Sequence, residues 1–199
     1  MPLWCADSHP EPLRVSAIQS GNRSGPVGSN DGQQRFHPDL KVQEAQTTLR
    51  GWLPTSGRVT IRCRMELDER SMASMWLSGF EELPHQAGEL CVVEVFGRSV
   101  SNASAEVGVG VKAKFDPELT DDFIAPRLDI DIRNMHDYAV EWDAKEATFQ
   151  VDGKTIHSSQ ETMTYPMQIM VAVFDFPDWP ARTDDFVPRI VIDSISVSD

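Results

Sequence analysis

The chain has 199 residues, of which 40% are hydrophobic, which is enough for one domain with a substantial core. Its formal charge is −13 and it has no Lys/Arg-rich run, which argues against a nucleic-acid or an anionic-membrane partner. No apolar run approaches the ~20 residues that cross a bilayer, and the opening residues show neither the basic region nor the apolar core of a signal peptide.

Alternating apolar and polar residues, rather than a helical period, run along most of the chain. The segment from Arg58 to Leu67 places every second residue on one apolar face, and the segment from Glu106 to Phe115 repeats this pattern. Asp152-Gly153 supplies the turn of a hairpin. Further strands are predicted near residues 13–19, 41–50, 72–79, 126–131, 136–142, 167–174 and 188–197. Many short strands without helices between them predict an all-β protein, an antiparallel β-sandwich or jelly roll, with residues 1–199 forming a single domain.

Two other features of the chain are a long irregular segment and three cysteines. The segment from Gly21 to Asp39 is the longest irregular stretch, and we expect it to lie over the mouth of a cleft. Cys5, Cys63 and Cys91 show no metal-ligand spacing, so we expect buried free thiols.

The stretch "GELCVVEVFG", residues 88–97, reads as a buried strand but carries two carboxylates, Glu89 and Glu94. An ionised carboxylate is costly to bury without a partner. Side chains alternate across a strand, so residues five apart should point to opposite faces. Either one glutamate faces solvent, or a β-bulge at Val92 or Val93 brings Glu89, Cys91 and Glu94 onto one face.

Two carboxylates on the concave face of a sandwich suggest glycoside cleavage. That reaction uses one carboxylate near the anomeric carbon and one acid near the leaving oxygen, at about 5 Å from each other for retention and ~6.5–9.5 Å for inversion. The other interpretation is structural, with one glutamate at a solvated edge and the other in a salt bridge.

The strand and its surroundings resemble glycoside hydrolase family 16, a group with the concanavalin A-like fold. The resemblance rests on "GELCVVEVFG", on "MASMWLSGF" before it, and on "HDYAVEWDAKEATFQVDGKTI" and "YPMQIMVAVFDFPDWP" after it. The family's signature strand has the form E-x-D-x-x-E, with a bulge before its last glutamate. The resemblance implies that Glu89 is the nucleophile and Glu94 the general acid/base of a retaining mechanism. It implies a polysaccharide substrate, β-glucan-like and cut at internal linkages, and we expect no cofactor and no metal ion.

The sequence departs from the family pattern in two places. Cys91 stands where the motif has the aspartate that is understood to orient the nucleophile and to tune its pKa. A thiol is smaller, normally neutral and only a weak donor, and it also fits as a small hydrophobe at a strand position. Family domains begin with strands that precede "LRVSAIQSG", so we expect an N-terminally truncated domain with an exposed apolar strip or an unpaired strand edge.

Three further residues are predicted to bind substrate. Trp76 matches a family tryptophan that lines the sugar subsite next to the cleaved bond, although a core role fits it equally well. Lys112 matches a polar position near the leaving group, and a solvated surface lysine is its alternative. Arg98 follows the signature strand, where it could hold a sugar hydroxyl, pair with Glu94 or lie on the surface. Trp179 could line the rim of the cleft or anchor its loop.

Two other functions fit the same residues. In a transglycosylase, a sugar hydroxyl captures the same covalent intermediate, so the glutamate pair does not discriminate it from a hydrolase. A non-catalytic sugar-binding protein on the same fold is compatible with Cys91 and with the missing opening strands. An extracellular location would fit the family.

Overall fold

The computed structural model describes residues 13–32, 39–179 and 185–198. Apart from one turn of 3-10 helix at Gly97–Ser99, the elements in this part of the chain are strands. They are β1 (Arg14–Gln19), β2 (Gly21–Asn22), β3 (Leu49–Arg50), β4 (Gly57–Glu66), β5 (Ser71–Gly79), β6 (Glu89–Phe96), β7 (Ala105–Glu106), β8 (Gly108–Lys112), β9 (Asp122–Ile124), β10 (Arg127–Leu128), β11 (His136–Trp142), β12 (Ala147–Val151), β13 (Lys154–Ser159), β14 (Met167–Asp175) and β15 (Arg189–Ser198).

The strands form a sandwich of two antiparallel sheets. One sheet has six strands in the order β1-β14-β5-β6-β8-β9, and the other has five in the order β13-β12-β11-β4-β15. Two short pairs, β10 with β7 and β2 with β3, complete the described part. The predicted antiparallel β-sandwich of jelly-roll type is confirmed.

The core lies between the two large sheets and follows the alternation of the strands. Every second residue of β4, β5, β11 and β14 is fully or almost fully buried and belongs to one apolar cluster. The central strands of the six-stranded sheet therefore use one face for the core, which leaves the opposite face for a groove.

Several strands are shorter than predicted. Between residues 41 and 50 only Leu49–Arg50 is a strand, because the backbone of Val42 pairs instead with a loop, at Gly28 and Ser29. The segment from 126 to 131 contains only Arg127–Leu128, and the β9 strand was not predicted. The predicted hairpin is confirmed: Asp152 and Gly153 adopt positive φ angles of 49° and 75° between β12 and β13.

The outer strands leave apolar surface exposed. In the described part of the chain, β1 pairs with β14 on one side and with no strand on the other. Ile18 on β1 is 57% exposed and Val197 on β15 is 42% exposed. The predicted unpaired edge of a truncated domain stays a prediction. Cys5 and residues 33–38 of the segment from Gly21 to Asp39 lie outside the described residues. No helix in the described ranges is long and apolar enough to span a bilayer.

A buried ionic cluster ties the β4–β5 turn to the end of β14. The guanidinium Nε of Arg70 lies 2.8 Å from Oδ1 of Asp175 and 3.9 Å from Oδ2 of Asp68, and all three side chains are almost fully buried. The backbone N–H of Phe176 also donates to the carbonyl of Arg70 at 2.9 Å. The cluster therefore anchors two segments that meet at one end of the six-stranded sheet.

Candidate active site

The signature strand contains the predicted bulge. Against β5, Cys91 pairs with Trp76 and Val93 pairs with Met75, so that Val92 is the extra residue, and the register with β8 shifts between Cys91 and Glu94. Val92 and Val93 both enter the core, with no exposed surface. The bulge therefore keeps two consecutive valines inside while the flanking polar residues share the other face.

Glu89, Cys91 and Glu94 line one pocket on the groove face. The six-stranded sheet supplies its walls from four neighbouring strands and from the residues that follow β8. The lining residues are Met72, Ser74, Trp76, Glu89, Cys91, Glu94, Lys112, Lys114 and Phe174. Besides Glu89 and Glu94, the predicted site residues were Trp76, Cys91, Lys112 and Arg98. The first three of these line the pocket, and Arg98 does not.

Glycines on β8 make room for the second glutamate. Gly108 lies opposite Glu94, and a Cβ atom added to Gly108 would be 2.5 Å from Cζ of Phe123 and 3.2 Å from Cβ of Glu94. A side chain at this position would push Glu94 or Phe123 aside. Glycines within a strand allow other groups to come close, and here that close approach lies directly beside the site.

Each glutamate faces its own lysine. Nζ of Lys112 donates to Oε2 of Glu94 at 2.9 Å, and Nζ of Lys114 lies 3.3 Å from Oε2 of Glu89. The side chain of Glu94 is 17% exposed and that of Glu89 is 13% exposed, so water screens these pairs less than it screens surface ion pairs.

Opposing effects act on the protonation of these groups. Burial raises the pKa of Glu89, and Glu94 raises it further, while Lys114 and Lys112 act in the other direction without cancelling the effect of burial. For Lys112, burial favours the neutral amine, but the carboxylates of Glu94 and Glu89 act in the other direction, and the pKa of the lysine is raised. Lys112 is therefore a cation at neutral pH.

Cys91 is a neutral group between the two glutamates. Burial raises the pKa of its thiol far above the ordinary value, and the nearby Glu94 and Glu89 act in the same direction. Its Sγ makes a long contact of 3.9 Å with the carbonyl oxygen of Gly108. The central position of the motif thus adds no charge to the pocket, in contrast to an aspartate.

Trp76 presents an aromatic ring to the pocket from β5. The ring centroid lies 6.4 Å from that of Phe174, and the indole is half-buried. Its Nε1–H is buried and has no hydrogen-bond partner in the described part of the chain. The part of the ring that faces the pocket is an apolar surface suited to a pyranose ring.

Arg98 and Trp179 are not part of this pocket. The guanidinium of Arg98 lies 4.6 Å from the ring centroid of Trp179 and 5.0 Å from that of Phe96. Trp179 also stacks on Phe176, at 4.3 Å between centroids. These contacts hold the loop after β14 against the end of β6. The sugar-binding role of Arg98 stays a prediction.

Lys114 is the charged pocket residue that was not predicted from the sequence. The alternation that put Gly108, Gly110 and Lys112 on one face of a strand also puts Lys114 there, two residues further on. Its φ angle is +52°, a left-handed conformation that lysine seldom adopts.

No group of three or more metal-ligating side chains occurs within the described ranges.

Comparisons with known proteins agree with this architecture. The family model "Glycosyl hydrolases family 16" matches residues 53–187, and the chain therefore belongs to that family. A search of curated protein sequences gives no match.

Among solved structures, a GlcNAcα1-4Gal-releasing endo-β-galactosidase from Clostridium perfringens is similar, with a TM-score of 0.70 and 18% identity. The match covers 94% of this chain and 46% of the galactosidase, so this chain spans less than half of its length. The laminarinase catalytic domain from Thermotoga maritima gives a TM-score of 0.61 at 18% identity, over 91% of this chain and 76% of that one. A transglycosylase in complex with NAG gives 0.60 at 13% identity, over 74% and 65%. At these identities the likenesses establish the fold.

The chain is thus a member of a glycoside hydrolase family, and the solved structures share its fold. The pocket on the groove face is the place in the described structure where paired carboxylates, a half-buried tryptophan and an open face of the sheet coincide.

Proposed function

We propose that this protein is a retaining endo-glycosidase that cleaves internal β-linkages of a polysaccharide, with Glu89 as the nucleophile and Glu94 as the general acid/base. One observation carries the proposal: the bulge at Val92–Val93 places both glutamates in one pocket, beside Trp76. A purely structural pair of glutamates would not need this irregularity, since regular alternation would send one of them to the opposite face.

In the first step, a carboxylate oxygen of Glu89 attacks the anomeric carbon while protonated Glu94 gives its proton to the glycosidic oxygen. The C–O bond to the leaving sugar breaks, and a glycosyl ester forms on Glu89. In the second step, Glu94 takes a proton from an incoming water, whose oxygen displaces Glu89 from the anomeric carbon. Two inversions give net retention of configuration.

The neighbouring groups fit these roles. Lys114 beside Glu89 favours the ionised carboxylate that the attack requires, although burial opposes it. Lys112 beside Glu94 can stabilise the carboxylate that remains after proton donation. Trp76 offers its ring to the sugar whose anomeric carbon reacts.

The substrate class follows from the related enzymes and from the open groove. Two of the glycosidases that resemble this chain act, by their names, on a β-galactoside-containing glycan and on laminarin. We therefore expect a β-linked polysaccharide, and β-glucans are the first to test.

The test is product release from laminarin, lichenan and agarose. Glu89→Ala and Glu94→Ala should each reduce the rate at least about a thousandfold, within the range expected for a nucleophile or a general acid. Glu141→Gln, at an exposed glutamate on β11, is the matched control and should keep the parent rate. NMR of the first product should show the β-anomer. Full activity in both alanine variants would refute the proposal.

Transfer to a sugar hydroxyl is the second candidate, because it uses the same intermediate and one structural neighbour is a transglycosylase. Mass spectrometry of the products separates the two. Chains longer than the substrate, formed when an acceptor oligosaccharide is added, would identify a transglycosylase. Tight binding of a polysaccharide without any product would identify the sugar-binding alternative.

A further inference from the structure

Lys114 stands in a backbone conformation that costs free energy. Its φ of +52° brings Cβ close to its own backbone, a position that glycine or asparagine normally takes. Such strain persists only where surrounding structure fixes it, and it is concentrated at functional sites. The turn that carries Lys114 should therefore be held from outside.

A hydrogen-bond network holds this turn and links it to the residue before Glu89. The backbone N–H of Ala113 donates to Oδ1 of Asp121 at 2.7 Å. The hydroxyl of Tyr165 donates to Oδ2 of Asp116 at 2.9 Å and accepts the backbone N–H of Gly88 at 2.8 Å. One tyrosine thus couples the strained turn to the start of the signature strand.

The fit around Gly88 is close. A Cβ atom there would lie 2.6 Å from the Tyr165 hydroxyl and 2.5 Å from Cδ1 of Leu119. The separation between the turn and the start of β6 is therefore set by direct packing, which fixes the position of Lys114 relative to Glu89.

Few charges act on Glu89 from its surroundings. Lys114 lies 3.3 Å away, while Lys112 and Glu94 are further charged groups that act on it. Cys91 on its own strand is neutral, and the facing residues of β5 in the described structure are Trp76 and Ser78, which carry no charge. Lys114 is thus the nearest cation to a carboxylate whose burial favours the neutral form.

We propose that Lys114 is a positioning residue for Glu89, holding its carboxylate ionised and fixed in the pocket by an ion pair that the Asp116–Tyr165–Gly88 network sets in place. The inference rests on the proposed role of Glu89 as nucleophile. In the family motif, a charged group at the centre of the signature strand orients the nucleophile. This chain has a thiol at that position, and a cation from the neighbouring turn takes over the orienting role.

The experiment compares pH–rate profiles of the parent, Lys114→Gln and Lys114→Arg. Loss of the cation should move the acidic limb of kcat/KM to higher pH and lower the rate about tenfold at the acidic end, as expected for an opposite charge removed from within 4–6 Å. Lys114→Arg should restore most of the rate. Lys112→Gln is the contrasting variant: Lys112 acts on Glu89 from farther away, so this change should move the acidic limb less than Lys114→Gln does. Lys154→Gln, at an exposed lysine on β13, should move neither limb.

Two further variants separate this role from a general effect on folding. Lys114→Gly relieves the strain, so its Tm should not fall below that of the parent while its acidic limb still moves. Tyr165→Phe removes the link between the turn and Gly88 but keeps the ring, and it should move the acidic limb in the same direction by a smaller amount. An acidic limb that stays in place in both Lys114→Gln and Lys114→Gly would overturn the proposal.

A direct titration keeps this inference apart from the proposed function. The pKa of the Glu89 carboxyl, followed by carbon NMR and assigned with Glu89→Gln, should rise in Lys114→Gln whether or not a substrate is known. Activity that survives Glu89→Ala would refute the proposed function, whereas an unchanged Glu89 titration would refute the role of Lys114.

Discussion

The two ionic groups of the six-stranded sheet differ in how their charges are arranged. In the cluster of Arg70, Asp68 and Asp175, one buried guanidinium lies between two carboxylates, and it joins the β4–β5 turn to the end of β14. In the pocket, each carboxylate has its own lysine, and the lysine side chains are 24% and 35% exposed. The first arrangement fixes two segments of backbone. The second leaves both carboxylates accessible from the groove, which is what a reaction on a bound sugar requires.

This comparison predicts opposite effects of removing a charge. The largest effect is expected for Arg70→Met, which removes the buried cation from Asp68 and leaves Asp175 paired with the exposed Arg14. Such a loss costs about 3–5 kcal/mol of the free energy of unfolding, as measured by urea denaturation. Arg62→Gln is the matched control, because the Arg62–Asp137 pair is exposed and its loss should change the free energy of unfolding much less. Equal losses in the two variants would show that the buried cluster has no special role.

The second prediction sharpens the comparison by adding a charge to the pocket. Cys91→Asp places a carboxylate between Glu89 and Glu94, where like charges disfavour ionisation. The acidic limb of the pH–rate profile should move to higher pH, with a rate about tenfold lower at the acidic end for each pKa unit of displacement. Cys91→Ser keeps a small neutral group and should keep most of the activity. Identical profiles for parent and Cys91→Asp would mean that position 91 does not influence the pair.

The smallest effect is expected for Glu89→Gln, and its sign is opposite to that of Arg70→Met. Burial raises the pKa of Glu89 in the folded state, so ionised Glu89 destabilises the fold at pH values above that pKa. The neutral amide removes this cost and should raise Tm at pH 7. The gain should vanish below the ordinary pKa of glutamate, where both states are protonated. A lower Tm at pH 7 would contradict the prediction.

Much of the fold could be predicted because its strands obey simple alternation. The strands at Gly57–Glu66, His136–Trp142 and Met167–Asp175 have one face in a dry core, so their sequences carry the period directly. The strand predicted near Val42 is absent. Val42 is buried against a glycine-rich loop, and in the sequence such a buried valine looks the same as one in a strand. The β9 strand was missed because three residues are too few to show a period.

The candidate site was predictable where a local rule was broken. Two carboxylates in an apolar run with the wrong parity left two alternatives, a glutamate facing solvent or a bulge, and the bulge is present. Arg98 follows the same strand but turns toward Trp179, a contact between segments far apart in sequence that no local pattern reveals. The ion pair between Lys114 and Glu89 depends on how a turn packs against Tyr165, which again is a property of the folded chain.

The bulge also bears on how insertions and deletions act on this protein. Glu89 and Glu94 lie five positions apart, but their partners on β5, Ser78 and Ser74, lie four apart. A chain that lacked Val92 would therefore return to regular alternation with both glutamates still on the groove face. A chain that lacked Leu90 would instead send Glu89 toward the core. The geometry of the pocket thus tolerates the deletion of Val92 at the bulge but not the deletion of Leu90. The number of residues between the two glutamates in the sequence is therefore a poor measure of their separation in the folded protein.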